Sequence, residues 1–252
     1  MRLPKIIEEC LSGLEKNDED SIALMGSYAR NQNKRFSDID IVYFTEYDAN
    51  EVEIKLTEDR YTVISYINIK EVENWFVDPK LATEFMGGLK TLIPIWDPKN
   101  HLENLRKRAI EFSWNQNLQE KADKYACEEI VLLGEEVNKG IQGIISNDNG
   151  RMLNCLFGLS LGLAKILRVQ KGILIKSDND FYDEILSIYE NEPETLQIIK
   201  NLFGIQESPI KSRVLSGLLL YEKIVSELKY LFMGKNQKII ELLLANISIL
   251  KK

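Results

Sequence analysis

The hydrophobic pattern of this chain changes its period near residue 118, and that change constrains the fold more than any other feature. Upstream of it, short runs rich in β-branched and aromatic residues and bounded by turn signals predict strands at 21–26, 38–45, 61–69 and 91–96. Downstream, apolar residues recur at helical spacing over 118–146, 150–170, 180–190, 194–204, 210–233 and 235–251. We therefore predict an α+β fold, with a small mixed sheet in residues 1–115 and an all-helical bundle in residues 116–252.

The predicted sheet is accompanied by helices of its own. Residues 3–14 carry apolar side chains at helical spacing, which indicates an amphipathic first helix that packs on another element. Further helices are predicted at 49–58, at 70–76, at 80–88 with two closing glycines suited to a C-terminal cap, and after Pro98.

Composition and charge exclude several classes of protein. The chain has 252 residues and a formal net charge of −7, so we do not expect it to bind long nucleic acid, which requires a dense basic surface. Its cysteines, Cys10, Cys127 and Cys155, fit no metal or redox spacing and are expected to be buried. The single histidine, His101, argues against zinc sites and histidine-assisted nucleophiles. We see no secretory signal or membrane span, and we expect a cytoplasmic protein.

Polar residues stand at the facing ends of the first two predicted strands. Gly26 follows the first strand and lets the backbone turn sharply, and Ser27 then offers a hydroxyl and an amide to a phosphate group. Asp38 and Asp40 lie two positions apart, so a strand would present both carboxylates on one face. Two neighbouring carboxylates repel each other unless a cation lies between them, and oxygen ligands of this kind suit Mg²⁺. The alternative is that both are solvated at a strand end.

The loop between the two strands is cationic. Arg30, Lys34 and Arg35 add positive charge near the predicted site, although each is by default a solvated surface residue. Ser37 is expected either to cap the turn before the second strand or to contact a phosphate, and we favour capping.

The segment GSYARNQNKRFSDIDI resembles the Gly-Ser, roughly ten residues, Asp-x-Asp signature of the DNA polymerase beta-type nucleotidyltransferase superfamily. Within that superfamily the layout is similar to the small antibiotic nucleotidyltransferases of the kanamycin and lincosamide kind. GGLKTLIPIWDPKNHLENL resembles the stretch that closes their catalytic domain, and GILIKSDNDFYDEI resembles a segment between their later helices.

This resemblance implies a function. The expected reaction is magnesium-dependent transfer of a nucleoside monophosphate from ATP or another nucleoside triphosphate to a hydroxyl of a small molecule. The resemblance implies an aminoglycoside or lincosamide antibiotic as this acceptor, and its modification would confer antibiotic resistance. Asp38 and Asp40 would hold the metal and carry the catalysis, and Gly26, Ser27, Arg30 and Ser37 would bind the nucleotide. The resemblance also suggests a homodimer.

The sequence departs from the superfamily pattern at two points. The superfamily places a third carboxylate on the next strand, where this chain has the acid-free run YTVISYINI, and no spacing favours Glu71, Glu73 or Glu84 as its replacement. The kanamycin type has a glutamate as general base on the first long helix of the second domain, and Glu128 is the nearest candidate here. A solvated glutamate is the alternative interpretation of that position.

Two other functions remain open on the sequence. The same chemistry could act on a protein or a tRNA end, as in toxin–antitoxin relatives, although the acidic balance disfavours tRNA. The chain could instead bind a nucleotide with weakened or absent catalysis, which the missing third acid favours. Aromatic residues such as Tyr125, Trp96 and Trp114 are expected to belong to the core.

Overall fold

The computed structural model describes residues 5–47 and 51–251, which form two compact units. The first contains the chain up to Trp114 together with Leu174–Asp180, and the second contains Asn115–Ile173 and the chain from Phe181 onward. The predicted domain limits, 1–115 and 116–252, stay a prediction. A division into compact units does not by itself show which residues form the catalytic domain.

The first unit is built on a mixed five-stranded sheet with the order β3-β4-β2-β1-β5. Its strands are β1 (Ser21–Met25), β2 (Ile39–Thr45), β3 (Val52–Thr57), β4 (Arg60–Asn68) and β5 (Ile93–Trp96). β2 pairs with β4 in parallel, whereas β1 with β2, β1 with β5 and β3 with β4 are antiparallel. The helices of this unit are α1 (Lys5–Leu11), the short α2 (Gly26–Ala29), α3 (Pro79–Thr91) and α4 (His101–Glu111), with a 3-10 helix at Ile69–Phe76.

Each face of the sheet has its own apolar core, as alternation along the strands requires. On one face, Ala23, Val42 and Phe44 pack with buried residues of α3 and α4 such as Met86 and Leu102. The opposite face packs against α1 through Ile22, Leu24, Ile39, Ile41, Tyr43 and Ile64. The predicted amphipathic first helix therefore packs on the sheet over its described residues, and residues 3 and 4 of the prediction lie outside them.

Two predictions about local structure were wrong. The segment at 49–58 contains β3 and not a helix, because its alternating Val52, Ile54 and Leu56 pair as an edge strand with β4; residues 49 and 50 lie outside the described part of the chain. The two glycines at 87 and 88 do not end α3, which continues to Thr91. Gly87 lies within the helix because a neighbouring segment approaches it too closely for a side chain to fit, as described below.

The second unit is helical throughout its regular elements, and the predicted α+β class is confirmed. Its elements are α5 (Gln116–Leu132), α6 (Gly134–Ile145), α7 (Asn149–Gln170), α8 (Phe181–Ile188), α9 (Pro193–Phe203), α10 (Ile210–Leu228) and α11 (Gly234–Ser248). The predicted single helix at 118–146 is divided at Leu133 into α5 and α6.

Helix α7 is long and apolar enough to cross a membrane by length and composition alone, which the sequence interpretation overlooked. Half of its apolar window is buried inside the protein, and Cys155, Leu159 and Leu163 are among its fully enclosed side chains. Such burial is typical of the central helix of a helical bundle. Cys10 and Cys127 are buried as well, so the expectation for all three cysteines is confirmed.

The segment Leu174–Asp180 lies against α3 in the first unit. A Cβ atom placed on Gly87 would lie 1.9 Å from the backbone oxygen of Ile175 and 3.0 Å from Cα of Lys176, so only glycine allows this approach. Leu174 packs against the core cluster formed with α3 and α4. The segment is thus fixed to the helix by backbone contact and by apolar packing.

We expect Gly87→Ala to destabilise the first unit, whereas Gly88→Ala should not. Alanine at position 87 must displace backbone atoms of Ile175, at a cost of about 1–3 kcal/mol. At position 88 the new methyl would meet only the terminal methyl of Met25, and alanine gains about 0.5–1 kcal/mol of helix propensity over glycine. Urea unfolding of both variants measures the difference, and equal stabilities would contradict the described contact.

Candidate active site

The turn after β1 is fitted to the carboxylate of Asp40. Gly26 has φ +64°, a left-handed conformation that glycine adopts without strain. A Cβ atom on Gly26 would lie 1.8 Å from Oδ2 of Asp40, so no other residue allows the backbone to come this close. Met25, the preceding residue, pairs with Asp40 across the antiparallel ladder. The Gly26 turn and Asp40, the second residue of the Asp-x-Asp pair, are therefore brought together as the sequence predicted.

The two aspartates differ in their surroundings. Asp38 immediately precedes β2 and is exposed, whereas Asp40 is the second residue of β2 and is half-buried. Burial and then the negative charge of Asp38 raise the pKa of Asp40 to about 6, with Arg30 opposing the rise and Asp178 adding to it. A cation bound between the two carboxylates would remove their repulsion, and its attraction would offset the cost of burying the charge of Asp40.

The other predicted nucleotide-binding residues lie around the same turn. The hydroxyl oxygen of Ser27 is buried and has no hydrogen-bond partner among the described residues. Arg30 donates from Nε to Oε1 of Gln32 at 3.0 Å. Ser37 Oγ accepts a hydrogen bond from the backbone N–H of Lys34 at 2.8 Å, so it caps the turn as favoured. Contacts of these residues with a nucleotide stay a prediction.

The site lacks a carboxylate on the neighbouring strand. Val63 of β4 lies in register beside Asp40, and no acid occurs in β4. Among the three suggested replacements, Glu73 is held by Arg108 through two hydrogen bonds of 2.6 and 2.7 Å, and this pairing lowers its pKa. Glu71 and Glu84 are exposed. None of the three is placed beside Asp40 by a described contact.

Asp178 was missed as a member of this neighbourhood. It lies in the segment Leu174–Asp180 and is close enough for its charge to act on Asp40. No local pattern in the sequence connects two residues so far apart. The resemblance of the surrounding segment to antibiotic nucleotidyltransferases was the one available signal, and it named no site residue.

The remaining candidates have ordinary surroundings. Glu128 is exposed on α5 in the second unit, and its role as general base stays a prediction. Trp114 packs against the core cluster of the first unit, as expected for an aromatic core residue. Trp96 packs on the opposite cluster and donates its indole N–H to the backbone oxygen of Asn17 at 2.9 Å.

An exposed apolar surface adjoins the carboxylates. Ile54, Val63 and Asp40 are successive partners across β3, β4 and β2, so their side chains share one face of the sheet. Thr57, on the other face, contacts Cys10 of α1 at 3.0 Å. The face that carries Asp40 also presents Val52, Ile54 and Leu56, which are 61, 57 and 73% exposed. A molecule bound at the carboxylates could therefore contact apolar side chains.

The chemistry of the donor set fits Mg²⁺. Two carboxylates and a hydroxyl are oxygen ligands, and burial, followed by the charge of Asp38, raises the pKa of Asp40, an effect that a bound cation would oppose. In residues 5–47 and 51–251, no three His, Cys, Asp or Glu side chains converge closely enough to hold a metal ion by themselves. Mg²⁺ usually retains water and shares phosphate oxygens of its substrate, so two protein carboxylates are compatible with it.

A mixed sheet with a Gly-Ser turn packed against an Asp-x-Asp pair defines a protein of the nucleotidyltransferase class. The family model described as "Nucleotidyltransferase domain" matches residues 4–139, which is more than half of the chain, and the chain belongs to this family. Transfer of a nucleoside monophosphate is therefore its general activity. No curated protein matches the chain.

Among solved structures, one similar protein matches most of the chain. The nucleotidyltransferase-like protein from Exiguobacterium sibiricum has 14% sequence identity and a TM-score of 0.49, covering 90% of this chain and 76% of its own.

We expect Asp40→Asn to stabilise the protein in the absence of metal while it damages the site. The folded-state pKa of about 6 exceeds the ordinary aspartate value of 3.8, so ionisation of Asp40 costs stability as the pH rises from about 4 to about 6. Because Asp40 is only partly buried and solvent screens its charge, we expect a gain of about 1–2 kcal/mol in the free energy of unfolding. Thermal unfolding in EDTA at pH 8 should show a midpoint raised by about 2–6 °C.

The pH dependence provides the control for this variant. The stability gap between Asp40→Asn and the parent should narrow as the pH falls towards 4, because both side chains are then neutral. Asp59 is exposed, so Asp59→Asn serves as the control, and we expect its unfolding temperature at pH 8 to equal that of the parent. An Asp40→Asn protein less stable than the parent at pH 8 would contradict the described burial.

Proposed function

We propose that this protein transfers a nucleoside monophosphate from a nucleoside triphosphate to a hydroxyl group of a small molecule in a magnesium-dependent reaction. The observation that carries the proposal is the packing of Asp40 against the Gly26 turn, with the buried, unpartnered hydroxyl of Ser27 beside it. Ser27 would donate to the triphosphate, and Asp38 and Asp40 would hold the metal.

The chemistry depends on positioning and charge. Magnesium would neutralise charge at the transferred phosphorus and on the leaving pyrophosphate. Asp38 and Asp40 supply the negative charge that attracts the cation into the site. Arg30, which already acts electrostatically on Asp40, would contact the phosphate chain, and Gly26 would let the backbone approach it.

The acceptor proposed is an aminoglycoside or lincosamide antibiotic, and the apolar face beside Asp40 supports the lincosamide type. Val52, Ile54 and Leu56 are exposed on that face, and such side chains favour an acceptor with an apolar surface over a purely polycationic one. The acidic net charge of −7 supports a cationic acceptor only in a general way. Glu128 as general base, a cytoplasmic location and a homodimer are part of the same proposal.

A second candidate is nucleotide binding without efficient transfer. The observation in its favour is the absence of an acid from β4, in which Val63 lies in register beside Asp40. A protein or tRNA acceptor has no comparable observation in its favour.

Two measurements separate these candidates. A rise in the unfolding temperature with ATP or GTP that requires Mg²⁺ would indicate a site that binds nucleotide. Pyrophosphate release in the presence of lincosamides and aminoglycosides would then indicate transfer. A magnesium-dependent rise without pyrophosphate release from any acceptor would support the binding-only candidate, and the absence of both would contradict the proposed function.

A further inference from the structure

The strand β3 is an open edge of the sheet. Among the described strands it pairs with β4 alone, in the order β3-β4-β2-β1-β5. The opposite edge, β5, is four residues long, contains Pro94 and shifts register against β1, and such features protect an edge from further pairing. β3 is longer, contains no proline and keeps one register with β4 over its whole length. An additional strand can therefore join the sheet at β3.

The backbone of β3 directs hydrogen-bonding groups towards this edge. In an antiparallel ladder, alternate residues exchange hydrogen bonds with the neighbouring strand, and the residues between them direct N–H and C=O to the other side. Tyr66 donates its backbone N–H to the backbone oxygen of Glu51 at 2.9 Å, and Glu51 precedes β3 in the same register. The alternation therefore directs the N–H and C=O groups of Val52, Ile54 and Leu56 away from β4. Such a row of groups is a template for another strand.

The sequence of β3 is complementary to a second copy of itself. When two copies pair antiparallel with Ile54 opposite Ile54, Val52 lies opposite Leu56, and Glu53 lies opposite Lys55 on both sides of the axis. The residues with outward backbone groups then form the hydrogen-bonded pairs. Glu53 and Lys55 form the intervening pairs, in which the side chains of antiparallel strands are closest. Moving the axis by one residue would place Glu53 opposite Glu53 or Lys55 opposite Lys55, so the charges select the same register as the backbone.

Glu53 and Lys55 retain the capacity for this pairing. Oε2 of Glu53 accepts a hydrogen bond from the hydroxyl of Tyr66 at 3.1 Å, and Nζ of Lys55 donates to the backbone oxygen of Cys10 at 3.4 Å. A carboxylate accepts several hydrogen bonds and an ammonium group has three donors, so one bond does not saturate either group. Alternation along β3 places both side chains on the same face of the sheet.

We propose that two copies of this protein associate through β3, which pairs antiparallel with β3 of the second copy about a two-fold axis at Ile54 and joins the two sheets into one. This inference names the surface of the homodimer that the proposed function includes, and it does not depend on nucleotidyl transfer. A two-fold dimer is self-complementary, so one pairing covers the open edges of both copies.

The pairing brings the two candidate sites onto one face of the joined sheet. Asp40, Val63 and Ile54 are successive partners across β2, β4 and β3, so the row continues through Ile54, Val63 and Asp40 of the second copy. With neighbouring strands about 4.8 Å apart, the two Asp40 residues lie about 24 Å apart along the sheet. The exposed Val52, Ile54 and Leu56 of both copies then form one apolar surface between the sites. The apolar surface beside each site thus includes side chains of the second copy.

The test reverses one charge at a time and measures association of the 252-residue protein by sedimentation equilibrium at low salt. We expect the parent to form a dimer. Glu53→Lys and Lys55→Glu each place like charges opposite each other in both symmetry-related pairs, so we expect each dissociation constant to rise at least about tenfold. Glu111→Lys makes the same charge change as Glu53→Lys at an exposed position of α4, and it should alter the dissociation constant by less than about twofold.

An equimolar mixture of the two charge variants is the decisive sample. Glu53→Lys carries two lysines at these positions and Lys55→Glu carries two glutamates, so every pair in a mixed dimer is again oppositely charged. We expect the mixture to associate about as tightly as the parent, and this recovery also shows that both variants are folded. A monomeric parent, charge variants that dimerise like the parent, or a mixture that stays monomeric would each overturn the inference.

Pyrophosphate release by the same samples tests the proposed function separately. A parent that transfers nucleotide as a monomer overturns the interface and leaves the transfer chemistry unaffected. A parent that dimerises through β3 without transferring nucleotide supports the interface and contradicts the transfer.

Discussion

Asp38→Asn and Asp40→Asn will each reduce nucleotidyl transfer by at least about a hundred-fold, the effect expected when a preorganised charge at a reacting centre is lost. An asparagine side chain has almost the same shape as a carboxylate but no net charge, so each change halves the charge of the two proposed metal ligands. The reduction should appear in the rate of pyrophosphate release with the acceptor identified in the antibiotic panel.

The control for these variants separates loss of function from loss of fold. Asp40→Asn is expected to unfold at a higher temperature than the parent in EDTA, so a reduced rate cannot be attributed to instability. The stabilisation by Mg²⁺ and nucleoside triphosphate should disappear in both variants. A near-normal transfer rate in either one would eliminate the two-carboxylate site.

Gly26→Ala will have the largest effect on the turn itself. The new methyl group would lie 1.8 Å from Oδ2 of Asp40, and the backbone has φ +64°. We expect a loss of about 2–4 kcal/mol in the free energy of unfolding, from overpacking together with left-handed backbone strain. Magnesium-dependent nucleotide binding should be lost as well, because the carboxylate must move. Urea unfolding and the thermal shift with MgATP measure the two effects.

Substitutions at two other glycines distinguish the cost of overpacking from the cost of backbone strain. Gly234 has φ +56° but no atom within 4 Å of its built Cβ, so Gly234→Ala reports the backbone cost alone, about 1 kcal/mol. Gly13 has open space and no positive φ, so Gly13→Ala should change stability little. A Gly26→Ala protein no less stable than Gly234→Ala would show that Asp40 is not packed against the turn.

The sequence predicted the parts of the site that are determined locally. Asp40 and Gly26 lie on adjacent strands joined by one loop, so strand patterns and turn chemistry were sufficient to bring them together. In β3, Val52, Ile54 and Leu56 alternate with Glu53 and Lys55, which is the period of a strand, so the helix predicted at 49–58 misread a signal that the sequence contains. The exposed face of β3 is part of the candidate site.

The parts that could not be predicted depend on contacts between distant segments. Gly87 was interpreted as a helix end, but its absence of a side chain serves the approach of Ile175, a residue from far along the chain. Asp178 follows that contact along the chain, and its charge contributes to the raised pKa of Asp40. Neither position carries a local pattern, since the constraint arises from tertiary packing.

The most direct measurement is a crystal structure of the protein soaked with Mn²⁺ and a nonhydrolysable nucleoside triphosphate analogue, analysed by anomalous scattering. We predict one strong manganese peak in contact with the carboxylates of Asp38 and Asp40, with the triphosphate reaching Ser27. A manganese peak elsewhere, or a triphosphate bound away from the Gly26 turn, would contradict the proposed site.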